Sequence, residues 1–424
     1  MIYLHVPFCE SFCTYCGFFS VRVPPVPEFA EGRSCFEDYA DAVLEEIEER
    51  CEEIAKPSEV NTLYIGGGTP SVLPLDVLSR IVTCLGWAPE GAVTPNPPVP
   101  EPDEGPGHAE REFTMEVNPE DIVEKGEEYV RGLIGLGVNR ISMGVQSFDD
   151  GILKWMNRRH DAAKAEEAFR ILRHCGVDNI SVDLIFGLSQ LDEATWSSTI
   201  DKALALKPEH ISAYQLSVEE DSALEELIAK GKYVEASEEQ CRMQYDILCR
   251  KLREAGYRHY EISNFALPGF EAVHNSAYWR RVPYVGLGPG AHSLSISSPN
   301  NNPSELEAPQ IRSWNKQEIP RRDKRGNLVR YSREQEILTP EDIRVERIML
   351  PLRTDDGIPE AELRSLSGDA AVDRLLSEGA LEPCPTSLHS CHPEHNCHPE
   401  RSEGSLRIPE DHFFVSDEII RELI

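Results

Sequence analysis

Residues 2–16, IYLHVPFCESFCTYC, join a strand-like run to a loop that carries three thiols close together, Cys9, Cys13 and Cys16. The β-branched and aromatic residues of 2–6 favour extended backbone, and Pro7 stops the run. Working outward, similar runs recur at 62–65, 113–117, 140–145, 181–186 and 210–216. Amphipathic stretches at 36–55, 74–85, 120–136, 162–175 and 193–206 separate them; in the first, Tyr39, Val43, Ile47 and Cys51 fall every fourth position among acidic residues. Six strands with five intervening helices predict an α/β fold with a parallel sheet, wound as a full or partial (β/α) barrel. An open doubly wound sheet is the alternative.

The chain of 424 residues carries 42 basic and 74 acidic side chains, a formal charge of −32. Such a surface repels phosphate backbones and anionic lipid, so no nucleic-acid partner is expected. No run of eighteen apolar residues occurs, hence no integral membrane segment, and the first residues lack the pattern of a secretory signal. A cytoplasmic location follows as an expectation, and in a reducing compartment twelve cysteines read as core residues, ligands or reactive groups rather than as disulfides.

Organisation is expected as a barrel over 1–294, interrupted by a proline-rich insertion at 89–111, then a polar linker at 295–335. A small winged-helix-like C-terminal domain follows at 336–424. Inside that domain, at about 384–405, Cys391-His392-Pro393-Glu394 repeats as Cys397-His398-Pro399-Glu400. Metal binding and a tolerated tandem duplication at a hairpin tip are both open there, although the paired spacing of structural zinc sites is lacking.

Three neighbouring thiols on a loop leaving a strand can hold one metal centre and leave a coordination position open. Zinc completed by a distant fourth ligand is one reading; an iron–sulfur cluster with one exchangeable iron is the other. The pattern Cys-x3-Cys-x2-Cys, with Tyr15 before the last cysteine, resembles the signature of the radical S-adenosylmethionine (SAM) superfamily. That resemblance implies a partial (β/α)6 TIM-like barrel and a [4Fe-4S] cluster on Cys9, Cys13 and Cys16. SAM would chelate the remaining iron, and reduction would cleave it to methionine and a 5′-deoxyadenosyl radical.

Polar groups at the carboxyl ends of the later strands suit a ligand site. They are Gly66-Gly67-Gly68-Thr69-Pro70, Glu116, Gln146 with Arg158 twelve residues on, and Asp183 inside an apolar run. A carboxylate such as Glu116 can pair with an ammonium, and the planar fork of Arg158 suits a carboxylate. Together with Tyr3-Leu4-His5-Val6-Pro7-Phe8-Cys9, they resemble relatives of oxygen-independent coproporphyrinogen III dehydrogenase. The resemblance implies a SAM pocket lined by Tyr3, Tyr15, Gly67, Gly68, Thr69, Glu116, Gln146, Arg158 and Asp183.

Within that group two activities compete. The dehydrogenase carries a fourth cysteine two residues after the third, and an N-terminal extension; here Phe18 holds that position and the motif starts at Cys9. Both departures resemble the HemW type, the haem chaperones. So do Tyr260-Glu261-Ile262-Ser263-Asn264-Phe265, His274-Asn275-Ser276-Ala277-Tyr278-Trp279 and the run from Gly286 to Ser293. The resemblance implies haem as ligand, haem-accepting respiratory proteins as partners, and an electron donor for the cluster. His274 offers an imidazole for haem iron, with Tyr278 and Trp279 as flat faces, although a capping histidine among core aromatics is the competing reading; His292 is a second contact point, for haem or for the SAM adenine. The alternative is radical SAM oxidative decarboxylation of coproporphyrinogen III.

Overall fold

Alternation along six strands builds the frame. They are β1 (Ile2–Val6), β2 (Thr62–Gly67), β3 (Glu112–Val117), β4 (Arg140–Gln146), β5 (Ile180–Phe186) and β6 (His210–Gln215). In the computed structural model, which describes residues 1–23, 28–29, 33–89, 111–220, 222–297, 309–385 and 404–424, each strand pairs in parallel with its predecessor in the chain. Between them lie α1 (Cys35–Glu49), α2 (Leu75–Cys84), α3 (Pro119–Gly135), α4 (Asp150–Trp155), α5 (Ala162–His174) and α6 (Glu193–Leu206), and α7 (Glu238–Glu254) follows β6.

An order that never reverses puts the helices on one face and leaves the other to line a lumen. A doubly wound sheet reverses at a switch point, so that alternative fails. The sheet is extended beyond β6 by the antiparallel β8 (Asn264–Ala266) and β7 (Arg258–Glu261), and beyond β1 by β9 (Val285–Leu287). These two edges do not pair with each other. The barrel is partial.

The two faces differ in chemistry. Leu4, Ile65, Met115, Met143, Val182 and Ile211 are fully buried against the helix layer. Their alternates, His5, Tyr64, Glu116, Ser142, Asp183 and Ser212, share the opposite face. α1 begins on a capping box between Ser34 and Glu37, and Tyr39, Val43 and Ile47 are buried as their spacing predicts. Cys51 is not part of that face. The helix breaks at Arg50, whose side chain turns inward to Glu46 and the Gly286 carbonyl, and Cys51 is left exposed in the next turn.

The segment expected as a linker at 295–335 is largely structured. β10 (His292–Ile296), β11 (Gln310–Asn315) and β14 (Arg333–Ile337) form an antiparallel sheet, and the ribbon of β12 (Arg321–Arg322) and β13 (Leu328–Val329) lies on α1. The physical reason is charge. Arg322 pairs with Asp38 and Asp41, and Arg330 with Glu45 and Glu49, so a basic strap covers an acidic helix face.

Downstream, α9 (Pro340–Met349), α10 (Glu360–Ser367) and α11 (Asp369–Glu378) accompany a three-stranded antiparallel sheet of Ile358–Pro359, Ser405–Arg407 and Glu382–Pro383. Ile348, Leu352 and Phe413 join the same apolar cluster as the barrel helices. Most of the proline-rich insertion at 89–111 and the Cys-His-Pro-Glu repeat lie outside the described residues. No helix among the described residues is long and apolar enough to cross a membrane.

Candidate functional site at the carboxyl ends of the strands

The cysteine loop is pinned from both sides. Cys9 sits on a two-residue strand beside Val21–Arg22, and the Thr14 amide and hydroxyl bond the Met156 and Trp155 carbonyls at 3.1 and 2.8 Å. The Asn157 amide group donates to the Phe12 carbonyl at 2.7 Å, from a left-handed residue that ends the α4 turn. The loop therefore faces the ends of β2 and β4 rather than open solvent.

Around it the sequence-predicted residues gather in three contacts. Cys9 Sγ lies 3.5 Å from Thr69 Oγ1, on the turn after β2. That turn needs glycine: Gly67 has φ +113, and a Cβ at Gly68 would stand 2.7 Å from the Phe8 carbonyl oxygen and 3.0 Å from Cys9 Sγ. Arg158 donates to Cys13 Sγ at 3.3 Å and to the Gly144 carbonyl at 2.6 Å, while its buried Nε has no partner. Gln146, at φ +67, brings its amide to the same glycine, 3.0 Å from where a Cβ on Gly144 would be. Burial drives the Tyr15 hydroxyl far above its usual range, opposed by the neighbouring Arg158.

Two carboxyls complete the rim. Glu116 accepts from the Tyr64 hydroxyl at 2.8 Å and the Gly67 amide at 3.1 Å. Burial, aided by nearby Asp183 and opposed by Tyr64, raises its pKa to about 7. Asp183 is held by the hydroxyls of Ser142, at 3.1 and 2.9 Å, and Ser181, at 3.0 Å; burial raises it as well. Tyr3 lies one layer back, its hydroxyl 3.0 Å from His5 Nδ1, and the other His5 nitrogen bonds the Phe19 carbonyl at 2.9 Å.

The supporting set of His5, Tyr64, Ser142, Ser181 and Ser212 was not singled out from sequence. Its signal was available: polar residues at alternate positions of strands that are otherwise apolar.

The donor set fits the group that the cysteine spacing implies. Burial raises the Cys9 thiol, and that of Cys16 to about 11, so both need a cation to be held ionised, and Arg158 supplies one beside Cys13. Among the described residues no three His, Cys, Asp or Glu side chains converge tightly enough for a single ion. Other described thiols, Cys35, Cys175 and Cys241, are buried in packing, whereas Cys51 and Cys84 are exposed.

His274 lies in the packed interior. It is 1% exposed on α8 (Val273–Trp279), with Nδ1 2.8 Å from Thr62 Oγ1 and Nε2 3.2 Å from the Tyr278 hydroxyl. Both ring nitrogens are engaged, and burial, with Arg140 nearby, lowers its pKa to about 3. This arrangement, with Tyr278 edge-on to the ring, is that of a histidine packed among core aromatics.

Residues 3–203 match the radical SAM superfamily model. The heme chaperone HemW of Lactococcus lactis is 34% identical over 289 residues, covering 68% of each chain. That of Escherichia coli is 29% identical over 405 residues, covering 90% of this chain and 92% of its own. The structure of the E. coli coproporphyrinogen III oxidase HemN superposes with a TM-score of 0.68 over 100% of this chain at 19% identity, a likeness of fold. With its cysteine loop, glycine turn and rim carboxyls in one partial barrel, the chain belongs to the HemW family of radical SAM proteins.

Proposed function

We propose that this chain is a haem chaperone: it binds haem, carries a [4Fe-4S] cluster and SAM, and passes haem to an acceptor haem protein. The observation that carries the reading is the approach of the cysteine loop to the ends of β2 and β4, in a chain whose HemW relatives reach 34% identity.

Cys9, Cys13 and Cys16 would hold the cluster, and the uncoordinated iron would take SAM. When bound, the cluster supplies one-electron reduction of the sulfonium, with the electron drawn from a donor protein. Glu116, ionised, would pair with the ammonium of SAM; Arg158, with an Nε to spare, would take its carboxylate. The glycine turn lets backbone approach, and Gln146 and Asp183 would bind ribose hydroxyls. Phe12 and Phe18, 50% and 72% exposed beside the loop, give its mouth an apolar rim. Phe18 stands where a fourth thiol would be needed for the dehydrogenase pattern.

The test is anaerobic reconstitution followed by incubation with coproporphyrinogen III, SAM and a reductant. A chaperone forms no protoporphyrinogen while binding haem in saturable fashion. Turnover of the porphyrinogen at enzymatic rates overturns the reading in favour of the decarboxylase.

A further inference from the structure

We infer that Tyr260, His210 and Ser181 form a one-way hydrogen-bond relay that aims Asp183 at the SAM ribose, as positioning residues of the candidate pocket. The inference rests on the SAM reading of that pocket and adds the residues behind its ribose acceptor. The relay runs from β7 at the sheet edge, through β6, to β5. The Ala272 amide donates to the Tyr260 hydroxyl at 3.2 Å, and that hydroxyl lies 2.7 Å from His210 Nε2. His210 Nδ1 lies 2.8 Å from Ser181 Oγ, which lies 3.0 Å from Asp183 Oδ1. Tyr260, His210 and Ser181 are buried, whereas Asp183 at the end is half-buried.

Counting hydrogens assigns the direction. The Tyr260 oxygen already receives the Ala272 amide, so its own proton goes to His210 Nε2, its one acceptor among the described residues. Nε2 is then a lone pair, and the neutral ring carries its proton on Nδ1, facing Ser181. Ser181 is left to give its single proton to Asp183; Ser212, 3.2 Å from Ser181, has a proton of its own. The reverse order strands the Tyr260 proton and turns Ser181 away from the carboxyl, and buried polar groups are rarely left so. Burial, with Arg140 nearby, holds His210 well below its usual pKa, so the ring is neutral as the relay requires.

Both ends of the relay suit this role. At the pocket, burial raises the Asp183 carboxyl, and the hydroxyls of Ser142, Ser212 and Ser181 oppose that rise. Hydroxyls alone hold Asp183 among the described residues. A guanidinium fork in contact would cover both oxygens, whereas each hydroxyl takes one lone pair and leaves others for a ribose. At the sheet edge, Tyr260 opens the run to Phe265, and residues 353–355 lie antiparallel to it. The Ile262 amide donates to the Arg353 carbonyl at 3.0 Å and the Asp355 amide to the Tyr260 carbonyl at 3.1 Å. Arg258, on the same strand, pairs with Asp355 at 2.6 Å. The backbone that carries the first donor is therefore fixed.

The test is calorimetric titration of SAM into the full chain, its cluster reconstituted and oxidised. Tyr260→Phe should bind about fivefold more weakly, the loss of one net hydrogen bond, with unchanged iron and sulfide content. His210→Leu should lose more, and His210→Asn, whose amide keeps a donor facing Ser181, should recover part of that loss. The deciding readout is the cycle with Asp183→Asn: once the carboxylate is gone, Tyr260→Phe should cost nothing further. Wild-type affinity in Tyr260→Phe overturns the relay, as does a folded, cluster-bearing His210→Asn that binds no better than His210→Leu. A Tyr260→Phe loss of equal size in the Asp183→Asn background overturns it too, marking a packing role. Wild-type SAM affinity in Asp183→Asn overturns the ribose assignment and the relay together. Failure of the wild type to bind SAM overturns the pocket reading on which both rest.

Discussion

A buried carboxyl with one hydroxyl partner and an acidic neighbour holds its proton to higher pH than a free one, and Glu116 does so up to about 7. Pairing with an ammonium requires the ionised form. SAM affinity is therefore expected to be flat above pH 7 and to fall about tenfold for each pH unit below it, the dependence of a single proton. Calorimetric titration at pH 5.5, 6.5 and 8 checks this, and Glu116→Gln should bind weakly with a flattened profile. The sign for folding is opposite: because the folded pKa is raised, this group's contribution to stability is full below the ordinary carboxyl range and drains away as pH rises to about 7. At the same scale, Cys9→Ala, Cys13→Ala or Cys16→Ala should each remove the cluster, read as iron and sulfide per chain after anaerobic purification. Iron retained by Cys13→Ala would contradict the ligand assignment.

The elements were legible wherever one period dominated. The six strands lie within a residue or two of their predicted bounds, and α6 spans the predicted 193–206, because alternation and the 3.6-residue repeat are local properties. The turn after β2 shows what an element asks of sequence. A methyl at Gly68 would collide with the Phe8 carbonyl and Cys9 sulfur, so Gly68→Ala must push the cysteine loop aside. Overpacking of this kind costs about 1–3 kcal/mol. Iron content should fall by at least half, and a thermal melt should show a lowered midpoint with the helical circular dichroism retained.

At the scale of the molecule, Glu46 is the fastening between barrel and strap. It accepts from Arg50 at 3.1 Å, Asn315 at 2.8 Å, the Gly288 amide at 2.9 Å and the Tyr331 hydroxyl at 2.7 Å. Glu46→Ala would leave Arg50, 4% exposed, with Glu53 at 2.7 Å as its remaining carboxylate and strip buried donors of their acceptor, at a cost of about 1–3 kcal/mol. Urea unfolding should show that loss, with Glu46→Gln losing less because the amide oxygen still accepts. We propose that 336–424 acts as a separate domain; partial proteolysis that releases it intact would support the boundary, and cleavage scattered through it would not.

Sequence alone determined the strand and helix rhythm, the cysteine loop, and the polar residues at the strand ends, since each depends on neighbours a few positions away. Only the tertiary structure decided which partners those residues meet. Asp183 is held by Ser142, from the adjoining strand, and Tyr331 reaches Glu46 across 285 positions. His274 is buried against Thr62, while His292 is exposed beside an indole from a stretch expected to be a plain connection. Protonation, accessibility and the strap's attachment to α1 all follow from how distant segments exclude water around one another, and no local spacing encodes that.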